Sequence, residues 1–168
     1  MSFGQGKSRM LRWAGYILLI ISSGAFGIKL EKAMCQRAAL TEELSVFAKY
    51  AGDCIENLMY PLDRIFSTFR SDGELGRAGF DKALVENGCV CAAGKISDML
   101  SAAGKETFEK FAYELGEGDA QSQIKLCRHT SALLAEESDR LKKDIQAKGR
   151  AIRFIPPLTA CLVILILI

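Results

Sequence analysis

Residues 154–168 carry no charge, and the stretch LVILILI at 162–168 is apolar on every helical face. A helix without a polar face offers no side to water, so it belongs in lipid or in a large core. One domain within a chain of 168 residues is too small to bury it. The run is therefore predicted to cross a membrane. Arg153 can snorkel towards the headgroups, so the span can begin near Ala151, and Pro156-Pro157 predicts a kink at the entry point.

The other end of the chain reads the same way. Residues 13–28 are uncharged, and Met10 and Leu11 lengthen the run if Arg12 snorkels. Residues 10–28 would then make roughly 28 Å of helix, close to the hydrocarbon thickness. Trp13 and Tyr16 lie near one end, where amphipathic rings favour the interface. A cleaved signal peptide is the rival reading, with Lys7, Arg9 and Arg12 as its basic region and Ser23-Gly24-Ala25 as its cleavage site. The helical pattern runs past Ile28 without a break, which favours a retained span. The organisation expected is a tail (1–9), a transmembrane helix (10–28), a helical-bundle domain (29–153) and a second transmembrane helix (154–168).

All 20 acids lie in the middle segment, together with every base except Lys7, Arg9 and Arg12. That segment is close to neutral and has no clustered basic face, which excludes a nucleic-acid footprint. Bases near the membrane are more numerous on the domain side, from Lys29, Lys32 and Arg37 to Lys148, Arg150 and Arg153. The domain is therefore expected in the cytoplasm. Cys35, Cys54, Cys89, Cys91, Cys127 and Cys161 have no framework-like spacing, so they read as reduced thiols used mostly in helix packing.

Between the spans, apolar residues recur at three–four spacing: Leu30, Ala33, Met34, Leu40, Leu44, Phe47, Ala51, Cys54, Leu58. This is the seam of one amphipathic helix, tolerating Gly52 and ending at Pro61. Leu62, Ile65, Phe66 and Phe69 predict a second helix, stopped at Ser71-Asp72-Gly73. Shorter helices follow on Phe80, Ala83 and Leu84 (ending near Asn87-Gly88), on Ile96, Met99 and Leu100, and on Phe108, Phe111, Ala112 and Leu115. Gly116 reads as a helix stop in the left-handed conformation. Asp119 reads as the cap of a last long helix, with Cys127, Leu134, Leu141, Ile145 and Ile152 as its seam and Ser131 and Ser138 between. No segment alternates as a strand would. The expected fold is all-α: two long antiparallel helices with shorter ones packed across them.

No constellation of catalytic residues emerges. Cys89-Val90-Cys91 lacks two further ligands for a structural zinc and reads as two loop thiols. GCVCAAGKIS at 88–97 misses a phosphate loop by one residue of spacing and by Ile96 standing where a hydroxyl should. His129 has no second histidine and reads as a polar-face residue, and Glu136-Glu137 and Lys142-Lys143 read as a solvated face. The expectation is no catalysis, no metal and no cofactor.

The stretch from Phe111 through Leu115, Gly116 and Asp119 to Gln123 resembles the stage III sporulation protein AB family of endospore-forming bacteria. That family carries F-x-x-x-L-G-x-x-D followed four residues on by Gln, then a long polar helix and a short C-terminal span. Upstream, the family's Tyr-x-x-Thr-Pro-Leu turn is matched only in its Pro-Leu pair, at Tyr60-Pro61-Leu62. The resemblance implies a bundle similar to the cytoplasmic domains of the platform protein of type II secretion and type IV pilus systems. It implies a non-catalytic part in the secretion-like channel between mother cell and forespore, at the outer forespore membrane on the mother-cell side. The implied partners are the lipid bilayer, a cytoplasmic secretion-type ATPase and the other membrane components of the complex, and a homo-oligomer is compatible with it. Tyr60, Pro61, Leu62, Leu115, Gly116, Asp119 and Gln123 are the candidate partner-binding residues; helix capping and chain reversal would account for the same residues. The alternative function is a membrane-anchored helical sensor or signalling module.

Overall fold

The computed structural model describes the backbone of residues 4–167 and the side chains of residues 25–147, 158 and 159. Six α-helices follow one another: α1 (Gly4–Leu58), α2 (Leu62–Thr68), α3 (Glu74–Arg77), α4 (Phe80–Ile96), α5 (Ala102–Glu114) and α6 (Ala120–Leu167), with a 3-10 turn at Ser97–Met99. Among the described residues there is no strand, and the fold is an all-α helical bundle. Among them, too, no helix is long and apolar enough to cross a membrane. The side chains of the two candidate spans, 10–28 and 154–168, fall almost wholly outside the described ones, as do those of Ile152, Pro156, Pro157 and Cys161. The chain divides into two compact units, Met1–Met34 with Lys143–Ile168, and Cys35–Lys142.

Within the second unit, α1 and α6 lie side by side and antiparallel. The hydroxyl of Ser138 donates to the carbonyl of Ala38 at 3.1 Å, and that of Ser131 to the carbonyl of Ser45 at 2.9 Å. Lys142 pairs with Glu42 at 2.9 Å and Arg128 with Glu56 at 2.6 Å, so the pairing order reverses along the two chains. A serine side chain is short, so reaching a backbone carbonyl of the neighbouring helix demands a close approach. Small residues permit it. Ala38, Ser45 and Gly52 recur every seventh residue on α1, the repeat that keeps one stripe facing a partner helix. A β-carbon on Gly52 would stand 2.9 Å from Cβ of Cys127.

The opposite face of α1 builds the main core. Phe47 is fully buried, and the rings of Phe69, Phe80, Phe108 and Phe111 surround it edge-on at 4.8, 5.4, 6.3 and 6.4 Å between centroids. Edge-to-face contact sets the positive ring edge against the negative face. The rings around Phe47 come from the end of α2, the start of α4 and the middle of α5, so one residue gathers three helices. Leu40, Leu44, Ala51, Leu75 and Ile96 fill the space around them.

Several expectations need correction. Leu58 does not belong to the buried seam but is 53% exposed, because α1 ends there. Proline disfavours helical geometry at Tyr60, the residue before it, and Met59 turns the chain with φ +50°. Cys89 and Cys91 are helical, not loop thiols: α4 continues past a kink at Gly88 (φ 78°, ψ 179°), and Cys89 points inward. Met99 lies in the 3-10 turn with Leu100 beyond it, so no helix joins Ile96, Met99 and Leu100; Met99 is exposed and Leu100 buried. Glu137 is not a solvated residue, for its side chain is 11% exposed and accepts from the hydroxyl of Ser101 at 2.8 Å.

Two local devices were not anticipated. Glu43 of α1 closes the start of α3, where the capping position is Gly73 and has no side chain. Its carboxylate accepts from the backbone N–H of Glu74 (2.8 Å) and Leu75 (3.0 Å) and from the hydroxyl of Ser71 (2.7 Å). A negative group suits those unpaired N–H groups. Ser101 caps α5 by accepting from the N–H of Gly104 at 3.1 Å.

Candidate functional site

The α5–α6 turn begins where α5 runs out of backbone partners. The last four carbonyls of a helix and the first four N–H groups of the next have none within their own helix. Gly116 adopts φ +99° and Gly118 φ +89°, conformations open to glycine without strain. The reversal leaves polar backbone groups pointing inward, and Gln123 satisfies them. Its Oε1 accepts from the N–H of Gly116 at 2.9 Å, and its Nε2 donates to the carbonyl of Glu114 at 3.2 Å and to that of Glu117. One buried amide thus uses both its donors and its acceptor on a single turn.

Asp119 starts α6. Its Oδ1 accepts from the N–H of Ser122 at 3.3 Å, and its carbonyl from the N–H of Gln123 at 3.0 Å. Hydrogen bonds from the side chain and backbone of Ser122 hold the Asp119 carboxyl below its ordinary range. The spacing of Leu, Gly, Asp and Gln in this stretch therefore has a mechanical meaning: a core residue, a left-handed stop, a cap and a clamp.

The α1–α2 corner meets that turn. Pro61 precedes α2, and its carbonyl accepts from the N–H of Arg64 at 3.0 Å and of Ile65 at 3.2 Å. Leu62 is half-buried against the core, and a β-carbon on Gly116 would lie 3.0 Å from its Cδ1. Leu115 is also half-buried there. The guanidinium of Arg64 sits 4.1 Å from the centre of the Tyr60 ring, a cation–π contact. The structure thus brings the segments around Leu62 and Gly116 into contact, though they are far apart in sequence. It does not place all seven candidates on a surface. Gln123 is buried, and its polar atoms are engaged within the turn. Pro61, Gly116 and Asp119 are exposed.

Met59, beside these residues, was not singled out in the sequence. It is 87% exposed and is the only non-glycine residue with positive φ among those described. The signal was present: it stands just past a helix end, where glycine is the usual residue.

Elsewhere the chemistry is quiet. Among the described residues no group of three His, Cys, Asp or Glu could hold a metal ion. Cys35, Cys54, Cys89, Cys91 and Cys127 are free thiols. Burial pushes the Cys89 thiol up to about 12 and the Cys127 thiol up to about 11, so both stay protonated and behave as small apolar side chains. His129 is exposed and lines a groove of about 180 Å³ between α5 and α6, floored by Phe111, Leu126 and Leu133. The segment 88–97 is helical up to Ile96 rather than a loop that could cradle phosphate. Comparison with protein-family models, curated proteins and solved structures finds no match to this chain.

Proposed function

We propose that this chain is a non-catalytic membrane platform of the stage III sporulation protein AB type, docking a cytoplasmic secretion-type ATPase in a secretion-like channel complex. One observation carries the reading. In the stretch that resembles the family, Leu115, Gly116, Asp119 and Gln123 act as one device, and that device packs on the Pro61-Leu62 corner, the other point of resemblance. A turn clamped by a buried glutamine presents the same surface at all times, which lowers the ordering cost of binding a partner.

Membrane anchoring belongs to the same proposal. The uncharged runs 10–28 and 154–168 have the composition of spans. Phe26, Ile28 and Leu158, within those runs, are 63, 52 and 66% exposed, and lipid would cover them. On the charge distribution the unit between the runs lies in the cytoplasm.

Two measurements test the reading. Affinity purification of the tagged full-length protein from solubilised membranes of sporulating cells should recover the ATPase, and recovery without it overturns the docking role. Topology is read from thiol labelling in intact cells that produce the protein before engulfment, when the membrane holding it faces the medium. Cys91 is the reporter to use, with the other cysteines replaced by alanine, since Cys91 is exposed and Cys89 is buried. Protection of Cys91 from an impermeant reagent, lost on lysis, is expected; labelling of intact cells overturns the cytoplasmic placement.

A further inference from the structure

We propose that Leu58, Met59 and Pro61, together with the acids beside them, form a docking face for a basic amphipathic segment of a protein partner. The inference rests on the reading that this end of the bundle binds a partner, and it supplies that partner's chemistry.

Met59 provides the first argument. A left-handed conformation crowds Cβ of an L residue against the following carbonyl, and glycine avoids the cost. Met59 adopts it at φ +50°. Strain at such a position is tolerated where the side chain is needed for packing, but this side chain is 87% exposed and packs on nothing in the core. Strained residues of this kind gather at functional sites. The side chain held outward is flexible and polarisable, the type used on surfaces that bind amphipathic segments. Leu58 before it is 53% exposed and Pro61 after it is exposed, so this corner offers three apolar side chains to a partner.

The second argument is charge. Asp63 follows Leu62, while Glu117 and Asp119 lie in and just after the turn whose Gly116 rests on Leu62. None of the three acids takes part in a salt bridge among the described residues. Two cations at this end already have a partner: Arg128 is paired with Glu56, and Arg64 lies over the Tyr60 ring. An apolar corner edged with acids repels anionic lipid headgroups and nucleic-acid phosphates. It suits a short apolar stretch flanked by Lys or Arg.

The test uses the full-length chain in neutral-detergent micelles and two labelled synthetic peptides. One is amphipathic with Leu and Phe on one face and Lys and Arg on the other; its counterpart carries Glu in place of the bases. Fluorescence anisotropy, corrected for empty micelles, should show saturable binding of the basic peptide only, weakening as salt is added. Met59→Gly should weaken it about tenfold while raising Tm by a few degrees, since relief of strain stabilises the fold. Glu117→Lys combined with Asp63→Lys should weaken it further with Tm little changed. Unchanged binding in Met59→Gly, or equal binding of the Glu peptide, overturns the proposal. So does concentration-dependent self-association in sedimentation that Met59→Gly removes, because the occupant is then a second copy of the chain. Peptide binding without ATPase recovery leaves this inference standing and removes the platform role. ATPase recovery unaffected by all these substitutions does the reverse.

Discussion

The two faces of α1 are packed by opposite means. Towards α6 the helix shows Ala38, Ser45 and Gly52, and the contact is made by hydroxyls reaching backbone carbonyls. Towards the short helices it shows Leu40, Leu44, Phe47 and Ala51, and the contact is made by large buried rings. The first face gains little from apolar area and depends on closeness; it is intolerant of added volume. The second depends on area and shape; it is intolerant of removed volume. One helix thus fails in two different ways, and substitutions can tell the faces apart.

The largest effect is expected on the aromatic face. Phe47→Ala removes the ring that touches four others and should cost about 3–5 kcal/mol in urea unfolding followed by circular dichroism. A cost below about 1 kcal/mol would mean that the surrounding rings close the gap, and the contrast between the faces would fail.

On the small-residue face the damaging change is addition. Gly52→Val should cost about 1–3 kcal/mol despite the better helix propensity of valine over glycine. Cys127→Ala should not rescue it, because the colliding atom is Cβ itself at 2.9 Å and alanine keeps it. Rescue by Cys127→Ala would show that the sulfur, not the helix spacing, sets the limit.

Gly116→Val joins both modes of failure at the turn. It forces a β-branched residue to φ +99° and places Cβ 3.0 Å from Leu62, so a loss of about 1–3 kcal/mol is expected. An unchanged unfolding midpoint would mean the turn can reform without glycine.

Removing a hydroxyl should matter less. Ser138→Ala, within the buried helix contact, should cost about 1 kcal/mol, the usual net value of one hydrogen bond. An equal effect of Ser67→Ala, whose hydroxyl bonds to Arg64 on an exposed surface, would deny the interhelix bond any special weight.

The smallest effect concerns pH. The folded-state carboxyl of Asp119 titrates below its ordinary value of 3.8. Its contribution is therefore present above that value and is lost as the pH falls through the folded one. Asp119→Asn keeps a capping oxygen but no charge. The difference in Tm between wild type and this variant should shrink as the pH drops below 3.8. A difference that stays constant there would mean that the charge adds nothing to the cap.

The aromatic face was legible in the sequence and the small-residue face was not. Phe47, Leu44 and Ala51 announce themselves by three–four spacing. Thr41, Ser45 and Ser138 are buried too, yet small polar residues give no apolar signal: the hydroxyls of Thr41 and Ser45 donate within α1, and only that of Ser138 finds its partner on the other helix. The same asymmetry holds at the candidate site. The left-handed glycine and the aspartate cap could be read from Leu115-Gly116 and Asp119, since those preferences are local. Gln123 carried no such sign, because its amide is defined by the backbone groups it finds across the turn.

By itself, then, the sequence determined the all-helical class, the helix ends next to Pro61, Leu115 and Asp119, and the two apolar runs whose composition suits lipid, all of which follow from spacing, proline and charge along one segment. Tertiary structure alone decided that Glu43 caps a helix formed far along the chain, that Gly52 must face Cys127, and that Leu62 comes to rest against Gly116. These depend on distances between segments remote in sequence. Such distances are fixed only when the helices pack, because closure of the chain and exclusion of water act on the whole unit at once.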